Sequence, residues 1–288
     1  MDAIIGLGAA GCAIAENFSK YPQYEVFKID EILHPTTNVK NNFVMPSQLT
    51  SEAYEENCPD MTSFFSGFDE KTNVIFILGG GGKIVGSSLR ILEKIKHCNL
   101  NILYITPDIT LMGGKRYILN RISFNILQEY ARSGLFNSIS LVYNPSIEAI
   151  MGDLPVKGYF DSINSFISSS IHMVNVFSNR KSIFNNVEEH EEHHRISTYG
   201  VVDPVTGEEK MFFPLNEVRE RFYYIGVSKK SLSDGKYFKQ LKENMRSKAR
   251  KEGIKISFQI NETDYDNDYA YFVAYTDQIQ DERSINNI

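Results

Sequence analysis

The chain has 288 residues, 42% of them hydrophobic and 23% charged, with a formal net charge of −6. That length supports a sizeable core and two domains, and the negative balance argues against a general nucleic-acid binder. Three cysteines, Cys12, Cys58 and Cys98, make no paired disulfide framework and suit a reducing cytoplasm.

In chain order, Ala3–Leu7 reads as a buried strand and Ala10–Lys20 as a helix with Ile14 and Phe18 on one face. Glu25–Ile29 is a second strand ending at Asp30, and residues 31–70, rich in Pro, Asn, Ser and Thr, read as loops with short helices. Asn73–Leu78 (NVIFIL) is a buried strand followed by a helix over Val85–His97. Asn101–Thr106 and Ser138–Tyr143 are further strands, separated by a helix near 114–133 that carries Ile118, Ile122, Ile126 and Leu127 at helical spacing. Strands alternating with helices predict a parallel, doubly wound α/β sheet. Residues 156–178 then form a long helix expected to bury Phe160, Ile163, Phe166, Ile167, Ile171 and Val174. The polar stretch KSIFNNVEEHEEHHR follows. Beyond it come a hairpin around Asp203–Gly207, a strand at Phe222–Val227, a basic helix over 236–252 and strands at 254–260 and 269–275. The expected organisation is an α/β domain over 1–178, an acidic connecting loop over 179–196 and a smaller α+β domain over 197–288. No apolar run reaches the ~18 residues of a membrane-spanning helix, so no membrane insertion is expected.

Two glycine clusters each follow a strand and open a helix: Gly6-Leu-Gly-Ala-Ala-Gly11-Cys12 and Gly79-Gly-Gly-Gly82-Lys83-Ile-Val-Gly86-Ser87-Ser88. Paired on parallel strands, such loops can offer backbone N–H groups and helix N-termini to one phosphate chain from both sides. The first also fits the dinucleotide fingerprint Gly6-x-Gly8-x-x-Gly11, with Asp30 where a ribose-binding acid belongs. That leaves an NAD-binding reading open. So is a pair of tight turns that bind nothing.

Gly8-Ala-Ala-Gly11-Cys12-Ala-Ile14-Ala-Glu-Asn17 resembles the first nucleotide loop of tubulin, Gly-Gln-Ala-Gly-Cys-Gln-Ile-Gly-Asn, and is close to the first loop of FtsZ. The second cluster stands where the tubulin/FtsZ superfamily has its signature Gly-Gly-Gly-Thr-Gly-Thr/Ser-Gly. Gly113-Gly114-Lys115-Arg116 is similar to the Glu-Gly-x-x-Arg element of FtsZ, and Asn144-Pro145 resembles the family's Pro-Asn turn. Residues 156–178 look like its central helix. Asn186-Val-Glu188-Glu-His-Glu191 resembles the Asn-x-Asp-x-x-Asp loop whose acids complete the GTPase site of the neighbouring subunit, with both aspartates replaced by glutamate.

The resemblance implies a Rossmann-like GTPase domain, a long central helix and a smaller α+β domain. It implies a protein that polymerises head to tail, with GTP or GDP bound between the loops by Gly8, Ala9, Ala10, Gly11, Cys12, Gly80, Gly81, Gly82, Lys83, Gly86, Ser87 and Arg116. Asn164 on the central helix is the implied base contact. Hydrolysis would use Asn186, Glu188 and Glu191 from the next subunit. Two departures bear on this: Lys83 replaces the first Thr of the signature, and Ile84 replaces its second essential Gly. A β-branched residue does not take a left-handed turn cheaply, and its side chain would occupy phosphate space. Lys83 could instead bring positive charge to the phosphates and reduce the need for Mg²⁺. Met112 or Gly113 stands where FtsZ has its ribose-contacting Glu. A nucleotide-free filament of the same fold is therefore the structural alternative. The chain ends without the linker and apolar docking peptide of a cell-division FtsZ, which suggests a divergent relative of phage or plasmid type.

Other motifs have plainer readings. His190, Glu191 and His194 match the HExxH zinc-protease spacing, but EEHEEHHR is polar on all sides, whereas that motif needs a helix packed on a core. Adventitious zinc or nickel on His190, His193 and His194 fits imidazole chemistry better, and a solvated acidic connector needs no ligand. Residues 229–255 carry ten Lys/Arg against Asp234, Glu243 and Glu252, which suits a solvated helix face. Ala3–Ala15 is apolar enough for a secretion signal, and Ala9-Ala-Gly-Cys12 faintly resembles a lipoprotein box. Asp2 stands where a signal carries Lys or Arg, however, so a cytoplasmic location is expected.

Overall fold

The computed structural model describes residues 2–33, 41–204 and 206–281, with the backbone alone over 249–252. The chain divides into two compact units, Met1–Ser168 with Ile279–Ile288, and Ser169–Gln278.

The first unit contains β1 (Asp2–Leu7), α1 (Gly8–Glu16), β2 (Tyr24–Asp30), β3 (Asn42–Val44), α2 (Ser51–Glu56) and β4 (Asn73–Gly79). It continues with α3 (Ser88–Lys94), β5 (Asn99–Thr106), α4 (Gly114–Arg132), β6 (Ser138–Tyr143) and α5 (Asn144–Met151). Its strands lie in the order β6-β5-β4-β1-β2-β3, and every pair is parallel. Ala3, Ile4, Ile5 and Leu7 of β1 and Val74, Phe76, Ile77 and Leu78 of β4 are all buried, as sheet strands covered by helices on both faces require.

Two local expectations change, and the buried face of one helix is decided. The segment 31–70 contributes a short strand, β3, although residues 34–40 lie outside the described chain. The helix expected over Val85–His97 is divided: Lys83–Ser87 winds as a 3-10 turn before α3. In α4 the buried residues are Asn120, Phe124, Leu127, Gln128 and Ala131, while Ile118, Ile122 and Ile126 stay in solvent.

Helix α6 (Tyr159–Asn179) buries Ile163, Ile167, Ile171, Val174 and Phe177 at three- and four-residue steps. Phe160, expected on that face, lies in its first turn and is 64% exposed, because the buried stripe begins one turn later, at Ile163.

The second unit is an antiparallel-rich α+β layer of β7 (Ile196–Val202), β8 (Glu209–Met211), β9 (Glu220–Ser228), α7 (Lys229–Leu232), α8 (Gly235–Glu252), β10 (Lys255–Thr263) and β11 (Tyr269–Thr276). The order is β10-β9-β11-β7, with β8 on β7; β10 runs parallel to β9, and β11 antiparallel to both β9 and β7. Alternation along β9 gives each sheet face its own cover. Tyr223, Ile225 and Val227 pack with Leu241 and Met245 of α8, whereas Phe222 and Tyr224 pack with Val174 and Phe177 of α6. Asp234 caps α8 through the amide of Lys236 at 2.8 Å, and Gly253 ends it in the left-handed conformation at φ 64°.

Candidate functional site

Strand order reverses at β1, which pairs with β2 on one side and β4 on the other. In open parallel sheets the crevice beyond the carboxyl ends at such a switch point is where ligands bind. The register aligns the two glycine loops there. Leu7 pairs with Leu78, so Gly8 and Gly79 leave the sheet at one level, and Gly79 in turn pairs with Ile105 at the end of β5.

The loops touch. Gly8 adopts φ +70°, and a Cβ on it would stand 2.9 Å from Ile84 Cγ2. A Cβ on Gly79 would stand 3.1 Å from Ala10 Cβ. Gly81, at φ +83°, has Arg116 O 3.1 Å from its Cβ position and would collide there with Met112 Cε. The first loop, the second loop and the start of α4 therefore form one cluster. Ala9 and Ala10 are exposed in the first turn of α1, and Lys83, Lys115 and Arg116 are exposed around the second and third segments.

Two groups of the second loop are already engaged. The Gly80 amide donates to Ile105 O at 2.9 Å. Ser87 is fully buried and donates its hydroxyl to Ile84 O at 2.7 Å. Gly86 is backed by Ser51, whose hydroxyl and carbonyl oxygens lie where a Cβ would go. Ile84 avoids the left-handed conformation, since the segment winds as a 3-10 turn, but its side chain is buried against Gly8.

The exposed face of α1 lines a cleft of about 810 Å³ with the end of β2 and the first turns of α6. Ala9, Cys12, Asp30 and Asn164 all line it, together with Glu16, Asn17, Lys28, Glu31 and Asp161. Its volume is in the range of small-molecule sites. Lys28 is 5% exposed and bonds Glu16 at 2.6 Å. Glu31 accepts from Tyr54 and, at 2.8 Å, from Ser47; these bonds, helped by the charge of Lys83, hold its carboxyl below the usual range. The Cys12 thiol donates to Gly6 O at 3.3 Å, and burial, with Asp30 adding to it, pushes the thiol up to about 12. Cys12 is thus a neutral packing group. The cluster has a cationic end at Lys83, Lys115 and Arg116, and a cleft rich in carboxylates and amides.

Buried polar groups of this unit left only weak traces in the sequence. Asn120 of α4 is fully buried beneath Gly80, and Tyr104 donates to its Oδ1 at 3.0 Å. Its trace in the sequence is a polar residue on the apolar stripe of an amphipathic helix. Lys28 left a similar trace, as a cation inside a buried strand. Thr106 Oγ1 and Asn144 Oδ1, at the ends of β5 and β6, are buried without a hydrogen-bond partner.

Asn186, Glu188 and Glu191 belong to the second unit. Their loop is fastened by its backbone: the Glu188 amide donates to Ser257 Oγ at 3.1 Å and the Glu191 amide to Glu220 at 3.0 Å. Asn186 Oδ1 accepts from Ser182 at 2.9 Å. Glu220, 1% exposed, also bonds His194 and lies 3.5 Å from Lys255. Burial alone would raise the Glu220 carboxyl, but the Glu191 amide, His194 and Lys255 together hold it below the ordinary range. Lys255 also reaches Glu188 at 3.4 Å and Glu191 at 3.8 Å. The exposed carboxylates of Glu188 and Glu191 thus project from an anchored backbone beside one shared cation.

The HExxH spacing does not fall on a helix. His190 stacks on Tyr275 with ring centres 4.6 Å apart, and His194 faces Glu220. Among the described residues no three His, Cys, Asp or Glu side chains are grouped to hold a metal ion, and no helix is long and apolar enough to cross a membrane. The basic stretch 229–255 is partly consumed by internal pairs: Lys229 with Asp264 at 2.7 Å, Lys248 with Glu209, and Lys242 over the Phe238 ring at 4.4 Å.

No family model matches the chain, and no curated protein sequence matches it either. Solved structures do. TubZ of Bacillus thuringiensis serovar israelensis, in a GTPγS-form protofilament, superposes with a TM-score of 0.74 at 14% identity, over 99% of this chain and 88% of that one. CetZ from Methanosaeta thermophila gives 0.69 at 15% identity, over 96% and 86%. The empty FtsZ dimer of M. jannaschii gives 0.69 at 11%, over 96% and 88%. The chain has the tubulin/FtsZ fold. Its likeness to these neighbours lies in structure rather than in sequence.

Proposed function

We propose that this protein is a tubulin-like filament protein that binds guanine nucleotide at the carboxyl edge of its first unit and polymerises head to tail. The observation that carries the reading is the register of β1 and β4, which sets Gly8 and Gly79 side by side and brings Arg116 against Gly81. Backbone N–H groups of the loops, the N-terminus of α1 and the cations Lys83 and Arg116 would receive the phosphates. Asn164 and the carboxylates of the cleft would accept hydrogen bonds from the nucleoside, whose base and sugar carry N–H and O–H donors. The glycine-loop end offers cations and a buried, engaged Ser87 rather than oxygen ligands, so these residues do not fit a protein-held Mg²⁺. The charge of the phosphates falls to Lys83 and Arg116.

Glu188 and Glu191 of the next subunit would orient the attacking water, with Asn186 beside them, so neither subunit alone has a whole site. Such a contact is heterologous and generates a filament. TubZ, of the same fold, has been solved as two-stranded and four-stranded filaments. The reading is tested by calorimetric titration of GTP. Saturable heat is expected, and Lys83→Ala should weaken binding about 10- to 100-fold, since a charge-assisted hydrogen bond is worth about 1.5–3 kcal/mol. No heat at millimolar GTP would overturn it. Pelleting with and without GTP reports the polymer.

One observation favours a second reading. Ile84 lies against Gly8 between the loops. If that methyl-lined contact closes the phosphate path, the protein is a constitutive filament of the same fold that has lost the nucleotide.

A further inference from the structure

Helix α4 leaves an apolar stripe in solvent that neither the core nor the nucleotide reading uses. Ile118, Ile122 and Ile126 are 56%, 49% and 39% exposed. At about 100° per residue, these three together with Lys115 and Glu129 fall within about 80° of one helix face. Lys115 is exposed, and the Glu129 side chain is 54% exposed. Glu129 is the only carboxylate in the helix; its exposed carboxylate already pairs with Arg132 at 2.8 Å, a solvated surface pair that leaves it open to a second cation. Lys115 is the only cation on the stripe itself, since Arg116, Arg121 and Arg132 lie off it.

The arrangement is symmetric about Ile122. Ile118 and Ile126 are four residues to either side, and Lys115 and Glu129 are seven. A second copy of the helix laid antiparallel, with Ile122 on the two-fold axis, would set Ile118 against Ile126 and Lys115 against Glu129 at both ends. Each charge would lie about 10 Å from the axis. Such a face is self-complementary, as an isologous contact requires. A stripe with like charges at its ends, or with the isoleucines off centre, would not have this property.

We propose that the α4 stripe is a lateral docking surface for a second copy of this chain, joining filaments in pairs. This rests on the polymer reading above for its strength. Three half-exposed isoleucines bury far less than the ~800 Å² per partner of a stable complex, so a single contact is weak and acts through repetition along a filament. The two-fold closes the contact, so it pairs filaments without gathering them into sheets.

Disulfide trapping tests the register. In a Cys58→Ser background, in which the remaining Cys12 and Cys98 are buried, Ile118→Cys, Ile122→Cys and Ile126→Cys are oxidised separately and in mixtures. One arm uses GTP-assembled protein, and the other uses concentrated protein without nucleotide. Ile122→Cys should form dimers at least tenfold faster than Ile118→Cys alone, whose two copies would stand about 12 Å apart, beyond disulfide reach. A mixture of Ile118→Cys and Ile126→Cys should cross-link between the two variants. In the arm without nucleotide, where the cations beside the glycine loops have no phosphate to hold, Lys115→Glu should suppress trapping at position 122, and Lys115→Glu with Glu129→Lys should restore it. Trapping at 122 without any pelleting would keep this contact and discard the head-to-tail polymer. No selective trapping at 122 in either arm, or equal trapping at 118, would overturn the inference even if filaments form.

Discussion

The carboxyl edge of the first unit and the 186–194 loop of the second are held by opposite means. At the edge, segments meet because side chains are absent: Gly8 and Gly81 take positive φ, and neighbouring atoms occupy the places where Cβ atoms would go. The loop is held by charge, with Glu220 buried beneath it and bonded to the Glu191 amide, His194 and Lys255. The first device fixes backbone, which suits an anion held by N–H groups. The second fixes backbone while leaving the carboxylates of Glu188 and Glu191 outside, which suits acids offered to another molecule.

Perturbations should separate the two devices, beginning with the most damaging. Glu220→Ala leaves His194 and Lys255 facing an empty buried position. It should cost about 3–5 kcal/mol in denaturant unfolding, the range for a broken buried pair, while Gly81 and its neighbours are untouched. Gly81→Val meets a φ of +83° and the side chain of Met112. Strain of about 1–3 kcal/mol is expected, with GTP binding lost in titration even where the fold survives.

Ile84→Ala should lower stability by about 2 kcal/mol, as buried large-to-small changes do. If its side chain obstructs the phosphates, the same variant should bind GTP more tightly than the parent. Weaker binding would make Ile84 a wall of the site instead. The smallest effect is that of pH. Because the Glu220 carboxyl is held below its ordinary value of 4.5 in the fold, its stabilisation is complete above that value and lost as pH falls through the lowered one. Unfolding midpoints should be level above about pH 5 and drop below it, with the part due to Glu220 missing in Glu220→Gln.

Much of this architecture was legible. NVIFIL could only be a buried strand, and the hairpin at Asp203–Gly207 followed from its turn residues; it is closed by the Gly207 amide on Asp203 O at 2.8 Å. The pairing of the glycine clusters rested on their strand–loop–helix setting and on the family resemblance, because nothing along the chain states which strands are neighbours. Ile118, Ile122 and Ile126 show the limit in the other direction. Their helical spacing marks an apolar face, but periodicity does not say whether a face meets the core or the solvent, and α4 packs through Phe124, Leu127 and Ala131 instead. Lys28, Asn120 and Glu220 went unnoticed because a buried polar residue is recognisable only once its partner is known.

By itself the sequence determined which segments become strands and helices and where the chain turns sharply, since apolar runs must be buried and positive φ favours glycine. The tertiary structure alone decided that Gly8 stands beside Ile84, that Tyr54 donates to Glu31, and that Glu220 underpins the acidic loop. These are contacts between residues far apart in the chain, set by strand order and register, which local spacing does not encode.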